Sequence, residues 1–315
     1  MVTFVKILTS IRSASFFLLP VLIAGLPQAQ GRPLVGEEFF RLPRGVVIDE
    51  VGSGSALEKA GLLPGDTLYS WKRVPDVPRD HSPASGSFDS PFDWSVLRVE
   101  QAPRGSIEIH GMRYGVATQW KIENGDWTGE VRPRWPDELQ RPFLQGKQQL
   151  ENGNRDGGID LWRELARNLD SNRYVMEKIW VFFKITEAWA KAEQWGEVQS
   201  SLEPWNQPSK LGSLQGMIFN HLGTLAWEQG RTSTASAYFS KAFEILPAQA
   251  PGSLSLARLN NNLGTVAFQR RETRVAEQRF QESLSILEEE LPGWEINVGP
   301  REAVDLPNYL KTMWG

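Results

Sequence analysis

Leu222-Gly223-Thr224-Leu225-Ala226-Trp227 returns as Leu263-Gly264-Thr265-Val266-Ala267-Phe268, 41 positions further along the chain. The correspondence continues at that offset: Ala235 with Ala276, Phe239 with Phe280, Ile245 with Ile286, Leu246 with Leu287, and Pro251-Gly252 with Pro292-Gly293. A period of about 20–50 residues is the signature of stacked repeats. Such units bury their apolar faces against their neighbours and leave an extended surface that usually binds rather than catalyses.

Outward from this pair, helical periodicity runs back to Asp137. It predicts four helix pairs: 137–152 with 156–169, 174–194 with 196–204, 210–229 with 232–246, and 253–270 with 273–290. Gly153, Gly230 and Pro251-Gly252 are the breakers between them. The region 137–291 is therefore expected to be an all-α stack of hairpins, followed by an irregular tail at 292–315.

The last two pairs resemble tetratricopeptide (TPR) repeats. In the first, Leu222 and Gly223 match the packing site of helix A, Gly230 the turn, Ala235, Phe239 and Ala242 helix B, and Pro247 the closing proline. The second keeps Leu263, Gly264, Ala276 and Phe280 and departs at Ser283 and Glu288. Gly146, Gly153 and Trp162 fit an earlier, weaker repeat, and the pair around Val198 and Leu202 is weaker still. The resemblance implies a concave groove lined by helix A: Met217, Asn220, Thr224 and Trp227, then Arg258, Asn261, Thr265 and Phe268. These positions recur about a turn apart and share a face. Trp227 and Phe268 fit a core role as readily as a binding one. Asn220, Asn261 and Arg258 are the better groove candidates, since burying them unpaired costs free energy.

Upstream, residues 33–125 read as a small β-rich module. Gly45–Val51 and Thr67–Trp71 are expected strands, Ala56–Ala60 a helical turn, and Phe92–Gln101 a helix. Ser106–His110 alternates apolar with polar residues, and Val116–Ile122 is the last expected strand. Gly45-Val46-Val47-Ile48, Gly54-Ser55-Ala56, Ala60-Gly61-Leu62 and Pro64-Gly65-Asp66 resemble a bacterial, circularly permuted PDZ domain. That resemblance implies binding of an extended peptide by strand addition beside a helix. Its residues here would be Val35 and Gly36 in the loop and Phe92 and Val96 on the helix. Glu37 and Glu38 in that loop would repel a carboxylate, so a purely structural role stands beside peptide recognition. Pro75 to Pro91, with His81, is a long polar loop, either functional or mobile. Residues 126–136 are expected to be the linker to the helices.

At the N-terminus, Lys6 and Arg12 precede an apolar run over residues 14–26. This pattern reads as a secretory signal over 1–31, with Ala29 and Gly31 offering a cleavage point. An uncleaved membrane tether is the alternative, although the run is shorter than the ~20 residues that span a bilayer comfortably. The expected location is the periplasm or cell envelope.

The chain of 315 residues has a formal net charge of −4 and no cysteine. Disulfides, thiolate metal sites and cysteine nucleophiles are thereby excluded. No basic run marks a nucleic-acid surface. No phosphate loop, zinc helix, nucleophile elbow or dinucleotide fingerprint occurs. His81, His110 and His221 do not form a ligand spacing. No catalytic residue, metal or cofactor is expected. The order of segments resembles bacterial proteins in which a signal, a PDZ-like module and a TPR array precede a CHAT protease domain. The protease part, with its His–Cys dyad, is missing. The resulting expectation is a multidomain α+β protein that binds proteins or peptides as a scaffold, or an accessory subunit of a CHAT-type protease.

Overall fold

Val46, Val47 and Ile48 are consecutive buried residues, and they form the start of β1 (Val46–Val51), around which the N-terminal module is organised. The computed structural model describes residues 44–74, 83–169, 173–202 and 211–291. After β1 come the turn α1 (Ala56–Lys59), β2 (Thr67–Arg73), β3 (Ala84–Ser87) and α2 (Pro91–Val96). α2 runs on through a wider π-helical turn, Leu97–Gln101. β4 (Ile107–Arg113), β5 (Val116–Ile122) and β6 (Gly129–Pro133) complete the module.

The sheet is antiparallel in the order β5-β4-β2-β1-β6, with β3 alongside the second half of β2. In β4 the alternation works as the sequence implies: Ile107 and Ile109 are fully buried while His110 is exposed. Leu57, Leu68, Phe88 and Ile122 close the same core. The Pro64-Gly65-Asp66 turn is fixed by Asp66, which is 2% exposed and accepts both prongs of the Arg113 guanidinium at 2.7 and 2.6 Å. Buried bidentate pairing of this kind holds geometry as well as charge.

One expectation is corrected. Residues 126–136 are not a linker, because Gly129–Pro133 is a strand paired with β1, Val46 opposite Pro133 and Ile48 opposite Val131. The sheet, not the local sequence, makes this segment extended. Ala84–Ser87, inside the expected loop, likewise pairs with Ser70–Arg73. Residues 75–82, the expected signal, the loop holding Val35 and Gly36, and the tail at 292–315 lie outside the described residues.

Among the described residues eight helices follow: α3 (Asp137–Glu151), α4 (Arg155–Asn168), α5 (Val175–Lys191), α6 (Trp195–Ser201), α7 (Ser213–Glu228), α8 (Thr232–Gln249), α9 (Leu254–Gln269) and α10 (Thr273–Glu290). They pair as antiparallel hairpins. Each hairpin turns through one left-handed residue: Gly153 (φ 82), Glu193 (φ 59), Gly230 (φ 72) and Arg271 (φ 63). Beside it the next amide reaches back to the helix, Arg231 to the Ala226 carbonyl and Glu272 to that of Ala267, both at 2.9 Å. This is the Schellman closure.

Close helix approach has one recurring cause. A β-carbon on Gly146, Gly223 or Gly264 would stand 2.4 Å from Trp162, 2.4 Å from Phe239 or 2.7 Å from Phe280. Each glycine sits at the same distance from its turn residue, and its aromatic partner lies at the same spacing on the second helix. In the second hairpin the equivalent position is Thr186, fully buried, with its hydroxyl on the Phe182 carbonyl at 2.8 Å.

The two modules share a contact surface. Phe92 of α2 is buried in the helical core, 6.0 Å from the ring of Phe183. Lys147 of α3 pairs with Glu50 of β1 at 2.5 Å. At the other end of the stack, Glu100 accepts from the amides of Leu254 and Ser255 at 3.0 and 2.9 Å, and Arg104 pairs with Glu290 at 2.6 Å. The β module thus bridges the first hairpin and the last.

Candidate functional site

Between these bridges lies a cleft of about 1030 Å³. One wall is α2 with its π-helical extension, from Pro91 to Pro103; the second is the segment Asn124–Val131 that leads into β6; the third is the face of α5, α7 and α9. Both modules therefore supply the same cavity.

The β6 wall carries unusual backbone chemistry. The Thr128 carbonyl accepts from Gly52 at 2.8 Å and the Arg134 amide donates to Gly45 at 3.0 Å, so these even-numbered residues face β1. By strand alternation, Gly129 and Val131 direct their amide and carbonyl groups to the other edge. No strand among the described residues pairs with that edge. An unpaired strand edge is a template for a further strand. The approach to β6 is held by Asp126, whose carboxylate accepts the Thr128 amide at 2.8 Å and hydroxyl at 2.6 Å. Trp127 is buried against Trp94, ring centres 5.6 Å apart.

The helical wall holds a charged network. Glu187 of α5 accepts from Lys184 at 2.7 Å and lies 3.3 Å from His221 Nε2 and 3.4 Å from Lys191. Burial works to raise the Glu187 pKa, but Lys184, His221 and Lys191 overcome it and hold the carboxyl well below the usual range. Burial would lower the Lys184 pKa, yet Glu187 and Glu130 reverse it, so the ammonium is held above its ordinary value. A network with every member engaged positions the wall.

Two guanidinium groups complete the lining, Arg98 from the β module and Arg258 from α9. Removal from water lowers both pKa values, that of Arg258 to about 10, with Arg98 adding repulsion to Arg258. Both stay charged at neutral pH. Arg98 Nε is buried without a hydrogen-bond partner.

Of the eight helical groove candidates, Met217 and Arg258 line the cleft. Asn220 is buried and accepts from Asn262 Nδ2 at 2.9 Å, tying α7 to α9. Thr224 and Thr265 turn their hydroxyls back onto the carbonyls of Asn220 and Asn261 at 3.1 and 3.0 Å. Asn261 is buried, Trp227 is packed against the helical core, and Phe268 is exposed outside the cleft. From the β module Phe92 lines the cavity, whereas Val96 is exposed away from it. The sequence reading missed Arg98, Trp94, the Asn124–Val131 wall and the Lys184–Glu187–His221 group. For Arg98 the available signal was a cationic residue on the same expected helix as Phe92. For the β6 wall the short apolar spacing of Trp127 and Val131 was a faint one.

The tetratricopeptide repeat family model matches residues 214–289. α7 to α10 are therefore TPR-like hairpins, and repeats of this kind serve protein interaction. No curated protein matches the sequence. Similar solved structures include BtubC (BKLC) from P. vanneervenii, 18% identical with a TM-score of 0.35 over 48% of this chain. The chain spans 57% of the BtubC chain, less than two thirds of its length. MamA MSR-1 C2 is 14% identical with a TM-score of 0.33, over 48% of this chain and 78% of that one. A further MamA protein is 14% identical at a TM-score of 0.24, over 52% and 99%. None of the three is similar enough to speak for this chain. Among the described residues no helix is long and apolar enough to cross a membrane, and no cluster of metal-ligating side chains occurs.

Proposed function

We propose that this chain is a non-enzymatic scaffold that binds an extended segment of a protein partner in the cleft between its two modules. The observation that carries the proposal is the outer edge of β6: no described strand pairs with it, and Gly129 and Val131, whose backbone groups alternate toward that edge, line a cavity walled by α2 and the TPR-like helices. A segment laid along β6 gains main-chain hydrogen bonds, and pockets on either side read alternate side chains. Trp94, Trp180 and Phe183 supply the apolar contacts.

The arrangement of strand, helix and approach loop supports a permuted PDZ-like identity for the β module, with Asn124–Thr128 in the position of the ligand loop. Val35 and Gly36 are not needed in this reading. The basic residues and apolar run at residues 6–26 support a cell-envelope location. The accessory-subunit alternative rests on the order of segments alone.

The test is selection of binding peptides from a displayed decapeptide library on the full chain, followed by the Val131→Pro variant. Proline removes an amide that does not pair with β1, so the sheet tolerates it at an edge. Loss of binding with thermal stability kept supports the proposal; undiminished binding opposes it.

A further inference from the structure

The β module is joined to the helices at two places of opposite chemistry. At the first two hairpins the join is apolar. Trp135, just after β6, is buried with its ring edge-on to Phe143 of α3 and Trp180 of α5, centres 5.6 and 5.9 Å away. Phe92 of α2 belongs to the same cluster. The backbone also crosses between the modules here, from Pro133 at the end of β6 to Asp137 at the start of α3.

At the last hairpin the join is carried by charge. Glu100 holds the start of α9 through the amides of Leu254 and Ser255, and Arg104 holds Glu290, the last residue of α10. Arg104 also lies 3.9 Å from Glu100, so one carboxylate and one guanidinium reach both helices. Glu288, Glu289 and Glu290 crowd the C-terminal end of α10, where the helix dipole disfavours carboxylates, and Arg104 offsets them. Among the described residues, the apolar cluster closing this end of the hairpin is Leu254, Ala257, Leu287 and Leu291, with no member from the β module. The side chains of Glu100, Arg104 and Glu290 are 16–27% exposed, so solvent ions reach them. Salt weakens such pairs, whereas aromatic burial does not depend on charge.

We propose that Glu100 and Arg104 form an electrostatic clasp that opens and closes the cleft, with the Trp135 cluster as its hinge. The cleft lies between the two joins: Trp180 and Phe183 line it at the aromatic end, Ala102 and Pro103 at the charged end. Releasing the clasp lets the β module swing from α9 and α10 while it stays docked on α3 and α5, a hinge motion about one crossing of the backbone. Ionic strength sets the open fraction. The use of the motion rests on the strand-addition reading above, since it gives an extended segment its way to the β6 edge.

The experiment uses the full chain, whose lack of cysteine allows paired spin labels at introduced thiols. Val96→Cys with Ser285→Cys spans the clasp, and Val96→Cys with Val175→Cys spans the hinge; all three positions are exposed. Raising NaCl from about 20 mM to about 1 M, where the screening length falls to about 3 Å, should add a longer distance between positions 96 and 285 and leave 96 to 175 unchanged. Glu100→Gln with Arg104→Gln should show that longer distance at low salt. Thermal denaturation identifies a variant that unfolds, and the salt series on the otherwise unsubstituted chain decides such a case. A 96–285 distance that ignores both salt and the double variant overturns the clasp; so does an equal change in both pairs, which means detachment without a hinge. A library-selected peptide separates the clasp from the β6 reading. In the double variant its association and dissociation rates should both rise about tenfold, as loss of a charge-assisted hydrogen bond implies for a gate, with affinity changing less. Widening of the 96–285 distance with both rates unaltered upholds the moving clasp and overturns its role as the gate to β6. If no peptide is selected, strand addition fails and the distances alone decide the clasp.

Discussion

Glu100, in the β module, holds Ser255, the second residue of helix α9: its carboxylate accepts the Ser255 amide at 2.9 Å and the Ser255 hydroxyl as well. It also accepts the amide of Leu254, so one carboxylate meets the positive end of a helix that begins 154 residues later. Anions in that position stabilise by about 0.3–2 kcal/mol. Glu100→Ala is expected to cost about 1–2 kcal/mol, as for loss of an N-cap. Urea denaturation should show a lower midpoint and, because the β module's hold on the last hairpin is then left to the Arg104–Glu290 pair, a broader transition.

Gly223 and Phe239 make a second prediction. With a β-carbon 2.4 Å from the ring, Gly223→Ala forces the helices apart and should destabilise by about 1–3 kcal/mol. Phe239→Leu in the same background should recover part of that loss, because the two sites share one contact and their effects do not add. A double-mutant cycle by chemical denaturation measures the coupling.

Glu187 predicts an acid limb. Its folded-state carboxyl lies well below the ordinary 4.5, so the stability it contributes is present above about that pH. As pH falls through the folded value the carboxyl protonates and the contribution disappears. Glu187→Gln should cost about 3–5 kcal/mol at neutral pH, since it leaves Lys184 buried without its main partner. The same variant should flatten the loss of stability below pH 4.5 (the ordinary carboxyl value) relative to the parent chain. Melting temperature against pH checks both.

The left-handed turn residues predict a stabilising change. Arg271 takes φ 63 where the equivalent turns at positions 153 and 230 have glycine. A non-glycine residue in this region costs about 1–2 kcal/mol, partly offset by glycine's larger entropy loss. Arg271→Gly should therefore gain about 0.5–1 kcal/mol, while Gly230→Ala loses a similar amount; thermal melts of the two variants report it.

How far the fold could be read depended on where the information sits. The helical hairpins were legible because Gly153, Gly230 and Pro251-Gly252 punctuate local periodicity, and all eight helices lie within a turn of the expected ranges. β6 was not legible: Gly129 and Pro133 spoil its alternation, and its partner β1 is some eighty residues distant. Strand formation there is decided by the neighbour, not by the segment. The site suffered in the same way. Asn220 shares the expected helix face with Met217 and Arg258, but helical register cannot tell a side chain aimed into the cleft from one that bonds Asn262 on the next helix.

The central claim is that a partner segment adds to β6. Amide hydrogen exchange of Gly129 and Val131, with and without a library-selected peptide, measures this most directly. The account predicts that both amides gain strong protection on peptide addition while Arg132, already facing β1, changes little. Unaltered exchange at Gly129 and Val131 under saturating peptide would contradict it.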